Sequence, residues 1–174
     1  MRLPQLRRSN ALPEDVREAL ELDRGERVVA SATDDKTDAT VVATTTHLVV
    51  VGPAGQVTTR RPWHLVDAGQ WNADTWTLSV TWVDKARPGQ WTFRDQDTRL
   101  LQAFRERVEA TVVVTEPLGL TGAGRAGRVV LRKDLSTQQL LVQPVLGRGT
   151  RADDPVVRAA VERATARLEE QAGL

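Results

Sequence analysis

Four of the chain's five tryptophans and one of its two histidines fall within residues 61–82, RPWHLVDAGQWNADTWTLSVTW. Two chemistries would use such a stretch. Indole faces can form a platform for bases, sugars or an apolar ligand, and an imidazole can act as a general base when a nucleophile or orienting carboxylate lies within reach. The first nominates Trp63, Trp71, Trp76, Trp82 and Trp91, and the second His64, with His47 as the other histidine. Neither histidine sits in a catalytic motif, and Asp67, three residues after His64, points to the opposite face of a strand. With no cysteine and two histidines, the chain lacks the usual ligands of a transition-metal centre. The expectation is therefore no catalytic residue, no metal and no cofactor.

Three further stretches carry charge or glycine in suggestive patterns. GAGRAG places Gly122, Gly124 and Gly127 at dinucleotide-fingerprint spacing, but that motif needs a strand before it and a helix opening from it. Here a helix pattern precedes and a strand pattern follows, so the stretch reads as a linker. The loop TDDKTD holds Asp34, Asp35 and Asp38 against Lys36, which repels polyanions, lacks the EF-hand spacing and reads as a solvated loop. Arg125, Arg128, Arg132, Lys133, Arg148 and Arg151 make a basic hairpin region, with Arg128 and Arg132 on one strand face. Nearby acidic residues dilute that charge, so a solvated face is preferred over a nucleic-acid surface.

The elements that must position these residues follow from periodicity and turn chemistry. LPEDVREALELDRG is a short helix with Pro13 in its first turn, Gly25 as its stop and Leu12, Val16 and Leu20 on one face. Seven short strands follow, at 27–33, 39–44, 47–51, 56–61, 64–71, 75–83 and 90–94. In the sixth, Trp76, Leu78, Val80 and Trp82 alternate with Thr77, Ser79 and Thr81, so all four large groups are expected in the core, as is Trp91. Trp63 and Trp71 lack clean alternation and fit core or groove equally. A long amphipathic helix carries Leu100, Leu101, Phe104, Val108 and Val112, with Asp95 or Asp97 as its cap. After the glycine-rich linker at 115–127 comes a hairpin, then a helix capped by Asp154 with Pro155 next and Val157, Ala160, Val161, Ala164 and Leu168 as its stripe.

With 174 residues, a formal net charge of +1, 40% hydrophobic and 27% charged residues, the chain is expected to be one globular domain with an appended subdomain. MRLPQLRRSNALPEDV has no apolar core of the signal-peptide kind, and the uncharged run Ala39 to Thr59 is broken by threonines, glycines and proline. A cytoplasmic protein with no membrane span is expected.

Seven antiparallel strands closed by one amphipathic helix are the element order of a pleckstrin-homology-like barrel. From Gly25 to Val114, GERVVASAT, VVATTTHLVVVG, RRPWHLVDAGQW, WTLSVTW and RLLQAFRERVEA resemble a bacterial pleckstrin-homology-like domain. The fold class implied is α+β: a PH-like seven-stranded antiparallel β-barrel capped by a C-terminal helix and followed by a small ββα subdomain. The expected divisions are a tail and short helix at 1–24, the barrel at 25–114, the linker at 115–127 and the ββα unit at 128–174. The resemblance implies a non-enzymatic binding or scaffolding module, with an unknown protein partner or another copy of the chain as its ligand; the acidic first loop makes phosphoinositide an unexpected ligand. Trp63, His64, Trp71, Arg128 and Arg132 are the candidate binding surface. The alternatives are nucleic-acid or anionic-surface binding through the arginine-rich hairpin and, more weakly, a hydrolase or transferase using His64.

Overall fold

β-branched runs become strands wherever turn residues separate them, and the helices form where apolar residues recur every three or four positions. The computed structural model describes residues 12–94, 96, 99–122 and 124–174; the basic N-terminal tail and the candidate caps Asp95 and Asp97 lie outside them. The fold is α+β. Its first sheet is a meander of β1 (Val28–Thr33), β2 (Thr40–Thr44), β3 (His47–Val51) and β4 (Val57–Pro62), paired in that order and antiparallel. A single 3-10 turn, Trp63–Leu65, leads to β5 (Val66–Asn72), β6 (Thr77–Trp82) and β7 (Gly89–Thr92), which form a second antiparallel sheet.

Helix α1 (Glu14–Ala19) lies on the outer face of the first sheet, where Val16 and Leu20 pack on Val42, Val49 and Val51. The inner face, with Val41, Ala43, Leu48 and Val50, meets Leu78, Val80, Trp82 and Trp91 of the second sheet and Leu100 and Phe104 of α2 (Arg99–Thr111). Cover on both faces explains why β2 and β3 read as continuous apolar runs instead of alternating ones. The seven expected strands are all present, but they are divided between two sheets, and no closed hydrogen-bonded barrel forms among the described residues. Polar contacts help join the sheets: Asp34, 2% exposed, accepts from the Thr92 backbone N–H at 2.6 Å and the Thr37 hydroxyl at 2.6 Å, and the Asp35 N–H donates to the Thr92 carbonyl at 2.9 Å. The acidic loop is thus partly structural at Asp34, whose carboxylate is turned inward.

Helix α2 ends one residue before the expected Val112. Thr111 turns its hydroxyl back to the Val108 carbonyl at 2.7 Å, and the three valines that follow are poor helix formers. They open β8 (Val112–Pro117), which pairs antiparallel with β9 (Gly127–Lys133). Together with β10 (Leu140–Leu146) the third sheet has the order β10-β9-β8, so the C-terminal unit has three strands where two were expected. Helix α3 (Pro155–Ala172) covers one face, burying Val157, Ala160, Ala164 and Leu168, with Val129 and Leu131 of β9 opposite. Asp154 caps it by accepting from the Val156 N–H at 2.8 Å, and Gly173 closes it at φ 69°. Among the described residues no helix is long and apolar enough to cross a membrane.

Candidate functional site

The tryptophans divide differently from the strand alternation. Trp82 and Trp91 are buried at 3% and 8% exposure, as expected. Trp76 is not: its backbone has φ 54°, it precedes β6, and its exposed ring meets Trp71 edge-on at 6.5 Å. The left-handed backbone turns the side chain off the inward-facing row, which breaks the alternation at that residue. Trp63 is fully buried, donates its indole N–H to the Thr44 carbonyl at 3.0 Å and stands edge-on to Phe104 at 5.6 Å. It belongs to the core and offers no binding surface. Trp71 is half-buried at the rim of the same core.

His64, Arg128 and Arg132 meet in the seam between the C-terminal unit and the first two sheets. On β9, Val129 and Leu131 face α3, while Arg128 and Arg132 face the other way. Arg128 donates to Asp67 at 2.7 Å, and Arg132, only 2% exposed, donates to the Thr111 hydroxyl at 2.9 Å. The His64 Nδ1 lies 3.9 Å from an Asp134 carboxylate oxygen. Burial pushes the imidazole below its ordinary value, partly opposed by Asp134, and burial likewise lowers the Arg132 guanidinium. Leu135, in the β9–β10 turn, packs on the main core, and Lys85 donates to the Leu146 carbonyl at 3.1 Å. The arginine pair is therefore committed to intramolecular docking, and the solvated face expected for Arg132 is absent. Gly127 opens β9 directly, so no helix N-terminus follows the glycine motif.

The residues the sequence reading missed lie at the start of β1. Glu26, whose side chain is 1% exposed, accepts from the hydroxyls of Thr44 and Thr46, from His47 Nδ1 at 3.0 Å, from Arg60 at 2.7 Å and from the Asp23 N–H at 3.2 Å. Burial alone would raise this carboxyl, but the hydrogen bonds from Thr44, Thr46, His47 and the Asp23 backbone outweigh it and lower it from 4.5 to about 2. Arg60 also donates to the Leu20 carbonyl at 2.7 Å, tying β4 to the end of α1. Asp23, Glu26 and His47 are close enough together to hold a cation, but the Arg60 guanidinium already occupies the carboxylate, and a metal would have to displace it. The cluster is a structural lock.

Among the described residues, an exposed strand edge and a groove are further surface features. The outer edge of β8 has no strand partner among the described residues, and Val112, Val113 and Val114 stand there at 39%, 48% and 38% exposure. Between β4 and the β6–β7 turn lies a groove of about 520 Å³ lined by Thr58, Thr59, Arg61, Trp82, Arg87 and Trp91, among others. No protein-family model, curated protein or solved structure matches the chain.

Proposed function

We propose that the chain is a non-enzymatic binding module, of pleckstrin-homology-like architecture over residues 25–114, that associates with a second copy of itself through β8. The order of elements supports the architectural reading: a four-stranded meander, a three-stranded meander and a helix packed across both. The observation that carries the functional reading is the edge strand itself. Val112 to Thr115 is an uncharged, β-branched run on an edge that pairs with no other strand among the described residues, and the residues that blunt such edges, Glu116 and Pro117, come only at the end of β8. Within the valine run the protective device is the bulge between Val112 and Val114. The exposed valines at the start of β1, Val28 and Val29, also belong to an edge strand, but α2 packs more extensively against β1 than against β8.

A second copy is the occupant that suits this edge. An uncharged run is self-complementary: brought together antiparallel about a two-fold axis, two β8 strands would pair their backbones and bury both sets of valines in one continuous sheet. His64 supports catalysis poorly, because its ring is held in the docking seam and neither the groove nor the β8 edge includes it. Light scattering coupled to size exclusion, across concentrations and for the wild type and Val113→Lys, tests the reading. A wild-type dimer that Val113→Lys converts to monomer supports it. A wild type that stays monomeric throughout rejects it.

A further inference from the structure

The groove beside β4 holds a cation with unspent hydrogen-bonding capacity, and its surroundings point to a ligand class. Arg61 lies with its guanidinium carbon 4.5 Å from the centre of the Trp82 ring and gives one terminal nitrogen to Asp84. Its Nε is buried without a partner, and its other terminal nitrogen makes no hydrogen bond among the described residues. Stacking and the Asp84 contact together fix the plane of the fork. Arg87, on the opposite wall, is exposed and has no side-chain partner among the described residues; its carbonyl accepts the Trp82 indole N–H at 3.0 Å, which anchors that wall.

The apolar wall is equally fixed. A Cβ at Gly89 would lie 2.8 Å from Trp91 Cζ2 and closer still to Cη2, so glycine is what lets the indole lie flat along the start of β7. Ala86 and Pro88 continue that wall. The neighbouring Arg60 is spent on Glu26 and Asp23 on the other side of the sheet. Asp84 offsets one of the two remaining arginines, leaving one uncompensated positive charge beside an apolar wall.

We infer that this groove binds a small organic monoanion, a carboxylate attached to a flat apolar body, with the carboxylate between Arg61 and Arg87 and the body against Trp91. Arginine's planar fork suits a carboxylate, and a single uncompensated charge suits one anionic group better than a polyphosphate. The volume lies within the range of small-molecule sites. The same chemistry is offered by a free aryl or alkyl acid and by the C-terminal residue of a peptide. The inference does not depend on β8 pairing.

Titration of the full chain with phenylacetate, phenylacetamide, N-acetylphenylalanine and inorganic phosphate, followed by NMR of the indole N–H groups, tests it. The expected result is saturable shifts of Trp82 and Trp91 with at least one of the two acids in the millimolar range or tighter. The neutral amide should bind about tenfold more weakly or worse, and phosphate should leave both indoles unmoved. Tighter binding of phenylacetate identifies the free acid as the source, and tighter binding of N-acetylphenylalanine identifies a chain end. Arg87→Gln, which breaks no hydrogen bond or ion pair among the described residues, should weaken acid binding about tenfold while leaving the unfolding midpoint unchanged. Arg61→Lys should weaken it too, since the charge survives and the fork does not. Equal binding of acid and amide, no effect of Arg87→Gln, or no saturable shift with either acid would overturn the inference.

Discussion

Glu26→Gln removes the negative charge at the centre of the lock while keeping its shape. The carboxyl is lowered from 4.5 to about 2 by its donors, and at about 1.4 kcal/mol per pH unit this is worth about 3 kcal/mol of stability at neutral pH. The variant should lose that amount, an expected drop of about 6–12 °C in melting temperature for a chain of this size. Because the folded-state value is depressed, the contribution is complete above 4.5 and disappears as pH falls through the window down to about 2. Urea denaturation of wild type and variant at a series of pH values separates this from other carboxylates, since Asp84, Asp134, Asp153 and Asp154 are also lowered and titrate in both proteins. The difference in unfolding free energy should be about 3 kcal/mol at pH 7 and should shrink steadily below pH 4.5. A difference below about 0.5 kcal/mol at neutral pH, or one that does not shrink in acid, refutes the account of the lock.

Gly69→Ala should cost about 2 kcal/mol in chemical denaturation, because the new Cβ would lie 2.7 Å from Phe104 Cζ, and Phe104 is wedged edge-on against Trp63. Trp76→Ala should cost under about 1 kcal/mol, against about 3–5 kcal/mol for Trp82→Ala, and equal losses would return Trp76 to the core. His64 is lowered by burial, so its contribution is complete above its ordinary value of 6.5 and is lost as pH falls below it. Protection of the β9 amides from hydrogen exchange, corrected for the slower intrinsic exchange in acid, should fall in mild acid, and His64→Leu should remove that part of the fall. Asp67→Asn should loosen the same seam by leaving Arg128 without its carboxylate, read as faster exchange in β9 with unchanged exchange in β2 and β3.

Local patterns carried the elements, and distant contacts carried the rest. The seven strands of the first two sheets, the α1 stripe of Val16 and Leu20 and the Asp154 cap of α3 all rest on neighbours in sequence, and all are present. Strand β8 was hidden because Val108 and Val112 continue the four-residue spacing of α2, and the competing preference of three consecutive valines acts only once β9 is there to pair with them. Trp76 was misplaced because alternation says nothing about a positive φ at the first residue of a turn-to-strand junction. Trp63, undecided between core and groove, is settled by Thr44 and Phe104, which meet it from β2 and α2. The role of Glu26 depends on partners 18 to 34 residues away, and the run of hydroxyls at Thr44, Thr45 and Thr46 was its only local signal. Arg128 and Arg132 share a strand face, as read, but whether that face meets water or protein is decided by Asp67 and Thr111.

Hydrogen exchange at the backbone amides of Val112 to Thr115, measured on the full chain at low and high protein concentration, tests self-association through β8 most directly. Pairing of the edge predicts protection that grows with concentration in this segment and leaves the inner strands β2 and β3 unchanged. Exchange at these amides that is fast and identical at every concentration would contradict it.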